Sequence, residues 1–305
     1  MSNTDSKIKR ATGLLVIEVI NSNPNGDPVR ESDPRQRPDR KGEISAVSFK
    51  RKLRDLVEWK GDVWEELASG FQPKLSSDKF EILESRGRNR QEIARLLTGD
   101  GSAFKQRYWD GRVFGNTFLE SMKDEEAKKL GFKDKEIAEY KANAIKTGVV
   151  QFVQGLSVAP IEIERQTNTN KSGVEEGKDR GMAPMAYRFV PHGVYCMPFF
   201  VNPSMAHKSG CTAQDIDLMK KLIPHAYAHT RSHARPFVEI RHAWYCEHKN
   251  PLGSCSDFAL IDALKPKKKG DDNKASTSWD DYDVPEGLPD NLKNKVACVD
   301  LVNLA

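Results

Sequence analysis

The side chains best suited to chemistry in this sequence are cations, and they bunch. Between Arg35 and Arg54 eight Lys/Arg stand against two acids, Asp39 and Glu43, a local net of +6. Lys50, Arg51 and Arg54 are spaced for one flank of a helix, and Arg30, Arg35, Arg37 and Arg40 lie in the stretch just before it. Cations converging in this way neutralise phosphates and release counterions, which gives salt-dependent binding indifferent to base sequence. A second, more polar set follows in Arg165, Gln166, Thr167, Asn168, Asn170, Lys171 and Arg180. Those side chains suit phosphate and sugar contacts more than base-edge readout.

Other chemistry is weaker. Asp27, Asp33 and Asp39 share a proline-rich stretch and could hold Mg²⁺ or act as a general base on RNA, so a metal-dependent endoribonuclease is the first rival. Asp in an NGD turn serves the turn itself more often. His225, His229 and His233 would share a face of a continuous helix, but Pro224 and Pro236 bracket them. His242, Cys246, His248 and Cys255 form another donor cluster, the basis of a second rival, a zinc-stabilised interaction module. It lacks a paired CxxC, and on a strand residues i and i+4 are about 13 Å apart. Ordinary packing is the expectation for both clusters. There is no GxxxxGK[ST], no GxGxxG after a strand and no GxSxG, so phosphate-loop, dinucleotide and hydrolase-elbow chemistry is excluded. We expect no metal, no cofactor and no catalytic residue.

The elements that must position these groups follow from pattern. Residues 12–20 (TGLLVIEVI) are rich in β-branched side chains and read as a central strand. Residues 21–39 hold four prolines and read as an ordered or semi-ordered loop. Ser45 caps a helix to about Glu58, with Phe49, Leu53, Leu56 and Val57 on one apolar arc. Residues 60–107 form an irregular, partly helical insert with a helix at 91–97, and 108–122 read as a second core helix with Gly115 at a close contact. Residues 125–146 are a charged helical or loop stretch. A strand over 149–163, broken at Gly155 and Pro160, a polar excursion over 164–181 and a strand over 185–201 make a β-hairpin arm leaving the body. Thr212 and Asp215 start a helix with a capping box, with Ile216, Met219, Leu222 and Ile223 apolar. Residues 237–245 and 297–301 are late strands, and 265–289 are a mobile surface loop. Strands and helices without a regular βαβα repeat favour an α+β, ferredoxin-like core with large insertions.

Composition bounds the rest. The chain has 305 residues, 38% hydrophobic and 30% charged, enough for a sizeable core. Its longest apolar runs, such as 14–20, fall far short of the roughly 20 residues that span a bilayer, and residues 1–10 lack the apolar core of a signal peptide. Five cysteines, an odd number with no CxxC, predict no disulfide framework and a soluble protein of the reducing cytoplasm. The net charge of +4 hides a gradient. Residues 84–112 hold seven Lys/Arg against four acids, while the tail from Asp271 holds eight acids against three lysines. A basic front and acidic rear suit a polyanion on one face, and equally head-to-tail self-association.

Six segments together carry a family resemblance. They are NSNPNGDP (21–28), SAVSFKRKLRDLV (45–57), YWDGRVFGNTF (108–118), GVVQFVQGLSVAPI (148–161), RFVPHGVYCMPFFVNP (188–203) and HTRSHARP (229–236). In this order they resemble the Cas7 family of the RAMP superfamily, the repeated backbone subunit of type I CRISPR Cascade complexes, closest to the I-C and I-B branches. The resemblance covers about 12–264. It implies a single domain: an RRM/ferredoxin-like palm (about 12–58, 108–163, 185–264 and 295–305), a helical finger insertion (about 60–107) and a β-hairpin thumb (about 164–184). It implies a non-catalytic scaffold that polymerises head-to-tail along a CRISPR RNA in a DNA-targeting, antiviral surveillance complex. The thumb would kink the guide at intervals and leave other bases free to pair with the target strand. The implied partners are CRISPR RNA, the target DNA strand, further copies of the chain and other Cascade subunits. Carried onto this sequence, the palm contacts fall on Asn23, Asn25, Lys50, Arg51 and Arg54, the web around Gln151 also faces the guide, and Arg112 is a secondary candidate. The thumb contacts fall on 164–184, with Met182 or Met185 as an apolar wedge.

Overall fold

A computed structural model of the chain describes residues 7–89, 92, 95, 105–115, 124–129, 131–143, 147–171 and 182–304. Strand β1 (Ala11–Ser22) is its axis. Ala11, Leu15, Ile17 and Val19 point into one core and Leu14 and Val16 into a second. A strand buried on both faces needs no polar alternation, which explains the continuous apolar run. Around it lie β2 (Lys41–Ile44), β3 (Val150–Phe152), β4 (Gly155–Pro160), β5 (Glu164–Lys171), β6 (Met182–Val201) and β7 (Phe237–His248). The short β8 (Lys267–Lys268) and β9 (Tyr282–Asp283) pair with each other, and β10 (Val296–Asp300) closes the main sheet. The sheet order is β10-β7-β1-β6-β4-β2, antiparallel throughout, with β3 and β5 also pairing on β6. At Gly13 a Cβ would lie 2.1 Å from the Phe199 ring, so only glycine admits that ring against the strand.

The helices among the described residues are α1 (Ala46–Glu58), α2 (Asp62–Ser69), α3 (Trp109–Phe114), α4 (Asp124–Lys129), α5 (Asp134–Asn143), α6 (Ala206–Ser209), α7 (Ala213–Leu222), α8 (Asp257–Leu264) and α9 (Asp290–Lys293). Helix α1 starts as expected, with Ser45 Oγ accepting the Ser48 N–H at 3.2 Å. Its Phe49, Leu53, Leu56 and Val57 are at most 2% exposed, each worth roughly 1.5–3 kcal/mol of burial. The expected capping box of α7 is present, Thr212 and Asp215 bonding reciprocally. Both helices contribute to the core cluster that holds Leu15, Ile17 and Val19 of β1. No helix of the described residues is long and apolar enough to cross a membrane.

Three expectations are corrected. The helix expected over 108–122 ends at Phe114, because Gly115 adopts φ +77° and turns the chain out of it; residues 116–123 lie outside the described residues, as does most of 91–97. The stretch 265–289 packs rather than leaving the body. Its few apolar side chains, Trp279, Tyr282, Val284 and Leu288, all join the second core beneath Leu14, Val16 and Trp244. Lys268 and Lys269 reach Asp281 and Asp283 at 3.8 and 3.7 Å across that turn. Composition undercounted this segment because sparse apolar residues, correctly placed, suffice to cover a sheet face. Finally, Cys246 and Cys298 are joined by a disulfide between β7 and β10, leaving Cys196, Cys211 and Cys255 free. No local spacing announces that pair; only the sheet register sets Cys298 opposite Cys246.

Candidate nucleic-acid interface

The loop leaving β1 is tightly built. The Asp27 N–H bonds to Asp33 O at 2.7 Å across its tip, the Ser32 N–H bonds back to Asp27 O at 2.9 Å, and the Arg35 N–H bonds to Asn25 O at 2.9 Å. Asn25 Oδ1 accepts the Ser45 N–H at 2.7 Å, so the loop seats the start of α1. Asn23 Nδ2 donates to Ser32 O at 2.7 Å, while its buried Oδ1 has no partner. The Asn23 N–H bonds to Ala234 O at 2.8 Å, which ties this loop to the HTRSHARP stretch. Both asparagines therefore shape the loop.

The three aspartates of this loop are occupied. Asp27 Oδ1 accepts the Val29 N–H at 3.0 Å, and Asp39 Oδ1 the Lys41 N–H at 3.2 Å, as side chains in Asx turns do. Asp33, 8% exposed, receives Arg165 from β5 and Arg188 from β6. One loop carboxylate thus pins both strands at the base of the arm. Arg188 also pairs with Glu31.

The α1 cations divide. Arg54 is 4% exposed and bonds Asp110 at 2.9 Å and Glu84 at 3.0 Å. Asp110 in turn accepts the Leu83 and Glu84 N–H groups. Arg112, also 4% exposed, bonds Asp215 of α7 at 2.7 Å and the carbonyls of Lys79, Lys105 and Gln106. These two guanidiniums are internal bolts between α1, the insert, α3 and α7, and a ligand cannot reach them without breaking the core. Arg51 bonds Glu84 O and lies 3.9 and 3.8 Å from Asp55 and Glu58. Lys50 lies 5.4 Å from the Phe114 ring centroid; burial, then the neighbouring Arg54, push its ammonium pKa down. The spacing that puts all three on one flank does not show what covers it: the insert brings Glu84 to Arg51 and Arg54, and α3 brings Phe114 to Lys50.

Lys52 does what its neighbours do not. It sits three residues after Phe49, on the core-facing side, and is 5% exposed. Its Nζ reaches Thr230 Oγ1 at 3.3 Å and lies 4.9 Å from the Tyr227 ring centroid. Burial, then Arg235, lower its pKa from 10.5 to about 8. A lysine in an apolar stripe was the sequence signal for this position.

The arm forms as expected. β5 and the first part of β6 pair from Glu164↔Phe189 to Lys171↔Met182. Arg165, Gln166 and Thr167 are exposed on it. Asn168, Lys171 and Met182 take their places in the ladder, but their side chains lie outside the described residues, as does Arg180. Gln151 is exposed on β3 and donates to Gly148 O at 3.4 Å. Between arm and loop is a cavity of about 510 Å³ lined in part by Asn21, Asn23, Gln166 and Tyr187; the Tyr187 and His233 rings meet there at 4.5 Å.

The histidine and cysteine clusters are dispersed. Cys246 is in the disulfide, His242 bonds Asp300 at 2.7 Å, and His248 bonds Thr12 at 3.0 Å and the Ser254 N–H at 2.9 Å. His225 and His229 lie on separate 3-10 turns. Among the described residues no group of three or more His, Cys, Asp or Glu is placed to hold a metal ion.

Fold and site define a mixed α/β protein built on a large antiparallel sheet, with charge gathered where a loop, a helix and an arm meet at one end of its central strand. The chain belongs to the CRISPR-associated protein Cas7 family, whose profile matches residues 9–286. A Cas7 protein of Haloferax volcanii is 25% identical over 221 residues, covering 70% of this chain and 63% of that relative. Similar solved chains, each 13% identical, come from a CRISPR RNA-guided surveillance complex in a pre-nicking state and from a further CRISPR RNA-guided surveillance complex. Their TM-scores are 0.45 and 0.44, over 79% and 86% of this chain and 79% and 77% of theirs. A chain of a Type III-B Cmr-beta complex bound to cognate target RNA is 12% identical, TM-score 0.36, over 78% of this chain and 61% of its own. Likenesses of this depth leave function to the residues themselves.

Proposed function

We propose that this chain is a CRISPR RNA-binding backbone subunit that oligomerises head-to-tail along the guide and scaffolds a DNA-targeting, antiviral Cascade complex in the cytoplasm. Membership of the Cas7 family over residues 9–286 carries the reading. The geometry supports it. Along the chain, β1-α1-β4-β6-α7-β7 with sheet order β7-β1-β6-β4 follows the ferredoxin-like βαββαβ plan. That favours an RRM-like palm in a single domain, with 60–107 as finger and 164–184 as thumb. An RRM stacks bases on its open sheet face. Here α8 and the segment through Leu292 cover that face, so the guide's path is at the end of β1, where the cations and the arm are.

Grip on the backbone, with base pairing left to read the target, is the division of labour of RNA-guided systems. In this reading Gln151, Arg165, Gln166, Thr167, Asn168, Lys171, Arg180 and Met182 face the guide, target DNA pairs with it, and other Cascade subunits cap the filament. The subunit is non-catalytic, which the engagement of Asp27, Asp33 and Asp39 in turns and ion pairs supports. Native mass and RNA content of the purified protein test it. A ladder of multimers on RNA of one length is expected; an RNA-free monomer refutes it. Complementary RNA with Mg²⁺ should stay intact, and regularly spaced cuts abolished by Asp33→Ala would make it an enzyme.

A further inference from the structure

The stretch between α7 and β7 folds back over α1 and encloses a cavity of about 290 Å³. Its walls carry five cationic side chains, Arg51, Lys52, Arg86, Arg231 and Arg235, and one carboxylate, Asp55. Asp55 is already shared, with Arg86 at 2.6 Å and Arg51 at 3.9 Å. Lys52, Arg231 and Arg235 have no carboxylate within 4.0 Å among the described residues. Two buried donors facing this region, Arg235 Nε and Arg51 Nη1, have no hydrogen-bond acceptor.

Buried cations without an acceptor are costly, and proteins pair or hydrogen-bond them. Here the buried Lys52 has a 3.3 Å bond to Thr230 Oγ1 in place of a carboxylate, and burial, then Arg235, lower its pKa. An anion with several acceptor oxygens would relieve all of these groups at once, as guanidinium and ammonium do around phosphate. The neighbouring 510 Å³ cavity is lined by the amides of Asn21, Asn23 and Gln166 and by the Tyr187 and His233 rings, with Glu31 and Glu164 also at its wall, Glu31 neutralised by Arg188. Residues 229–235 form a wall of both, His233 on one side and Arg231 and Arg235 on the other. A ligand that alternates anionic and flat polar groups fits the pair, and single-stranded nucleic acid is such a ligand.

We propose that the basic cavity is a phosphate pocket, holding one backbone phosphodiester of single-stranded RNA between Lys52, Arg231 and Arg235. The inference rests on the RNA-binding reading above and places the grip on residues the α1 flank did not suggest. Anisotropy of a labelled oligouridylate across a salt series tests it, with the full chain freed of co-purified RNA. Arg231→Gln, an exposed position that does not threaten folding, and Arg235→Gln should each weaken binding about tenfold, the loss of a charge-assisted contact. Each should lower the slope of log K against log salt by about 0.7, the value for one single-strand phosphate. Lys293→Gln, remote and exposed, should change neither. An abasic oligomer should show the same tenfold loss. Wild-type affinity and slope in both arginine variants overturn the pocket while leaving the function intact, and a loss confined to base-bearing RNA overturns it in favour of a base site. If the wild-type protein binds no oligouridylate, the RNA reading falls and the pocket with it.

Discussion

Lys52 should cost the free protein stability. Its pKa falls from 10.5 to about 8 on folding, chiefly by burial. A shift of one unit corresponds to about 1.4 kcal/mol, so near pH 7 the buried ammonium opposes folding by about 3 kcal/mol. Replacing it with methionine, which keeps the stem against Tyr227, removes that cost and forfeits one long hydrogen bond to Thr230, worth about 1 kcal/mol. Lys52→Met should therefore be more stable than wild type by about 2 kcal/mol at pH 7. The sign with pH is fixed. Below the folded pKa lysine is charged in both states and the full penalty applies. As pH rises from about 8 to above 10 the unfolded chain binds more protons than the folded one, so wild-type stability recovers. The variant's margin should shrink by about 2 kcal/mol between pH 7 and pH 10 in paired urea titrations. Guide RNA should bind the variant more weakly, opposite in direction to its stability. A variant less stable than wild type at pH 7, or a margin that ignores pH, would refute the argument that this charge is uncompensated.

The other predictions concern the supports. Asp110→Ala strips Arg54 of one buried partner and should cost about 3–5 kcal/mol in urea unfolding; an effect below 1 kcal/mol would mean Arg54 is wetter than its 4% exposure implies. Asp33→Asn releases Arg165 and Arg188 from the base of the arm, and trypsin should nick the arm several-fold faster than in wild type. Gly13→Ala should cost about 2–3 kcal/mol by overpacking, and Phe199→Leu in the same chain should recover part of it. Thiol titration of the denatured, unreduced protein should find three free cysteines, and five would remove the Cys246–Cys298 bond.

Much of the scaffold is written locally. The apolar run of β1, the Ser45 cap, the Thr212 capping box and the polar arm are all short-range patterns, and they appear where pattern puts them. What escaped depends on which distant segment lies on top. The flank bearing Arg54 looks solvated until the insert closes on it. Arg112 looks like a free cation until Asp215, 103 residues later, meets it. Residues 265–289 look like a loose loop because no window sees the sheet face they cover. The basic cavity combines a helix, the insert and a stretch 180 residues away; its only local trace is a lysine inside an apolar stripe and two arginines four apart in a turn.

The double cover over β1 also orders how the molecule opens. Amide exchange by local fraying can reach β2 and β10, which lie at the edges of the sheet. The β1 amides are paired on both sides, to β6 and to β7, and roofed above and below. Deuterium should enter β1 only through global unfolding, at the full free energy of the fold. The strand whose end carries the loop, the helix and the arm is thus the last element to yield, and what binds there stands on the slowest-exchanging part of the chain.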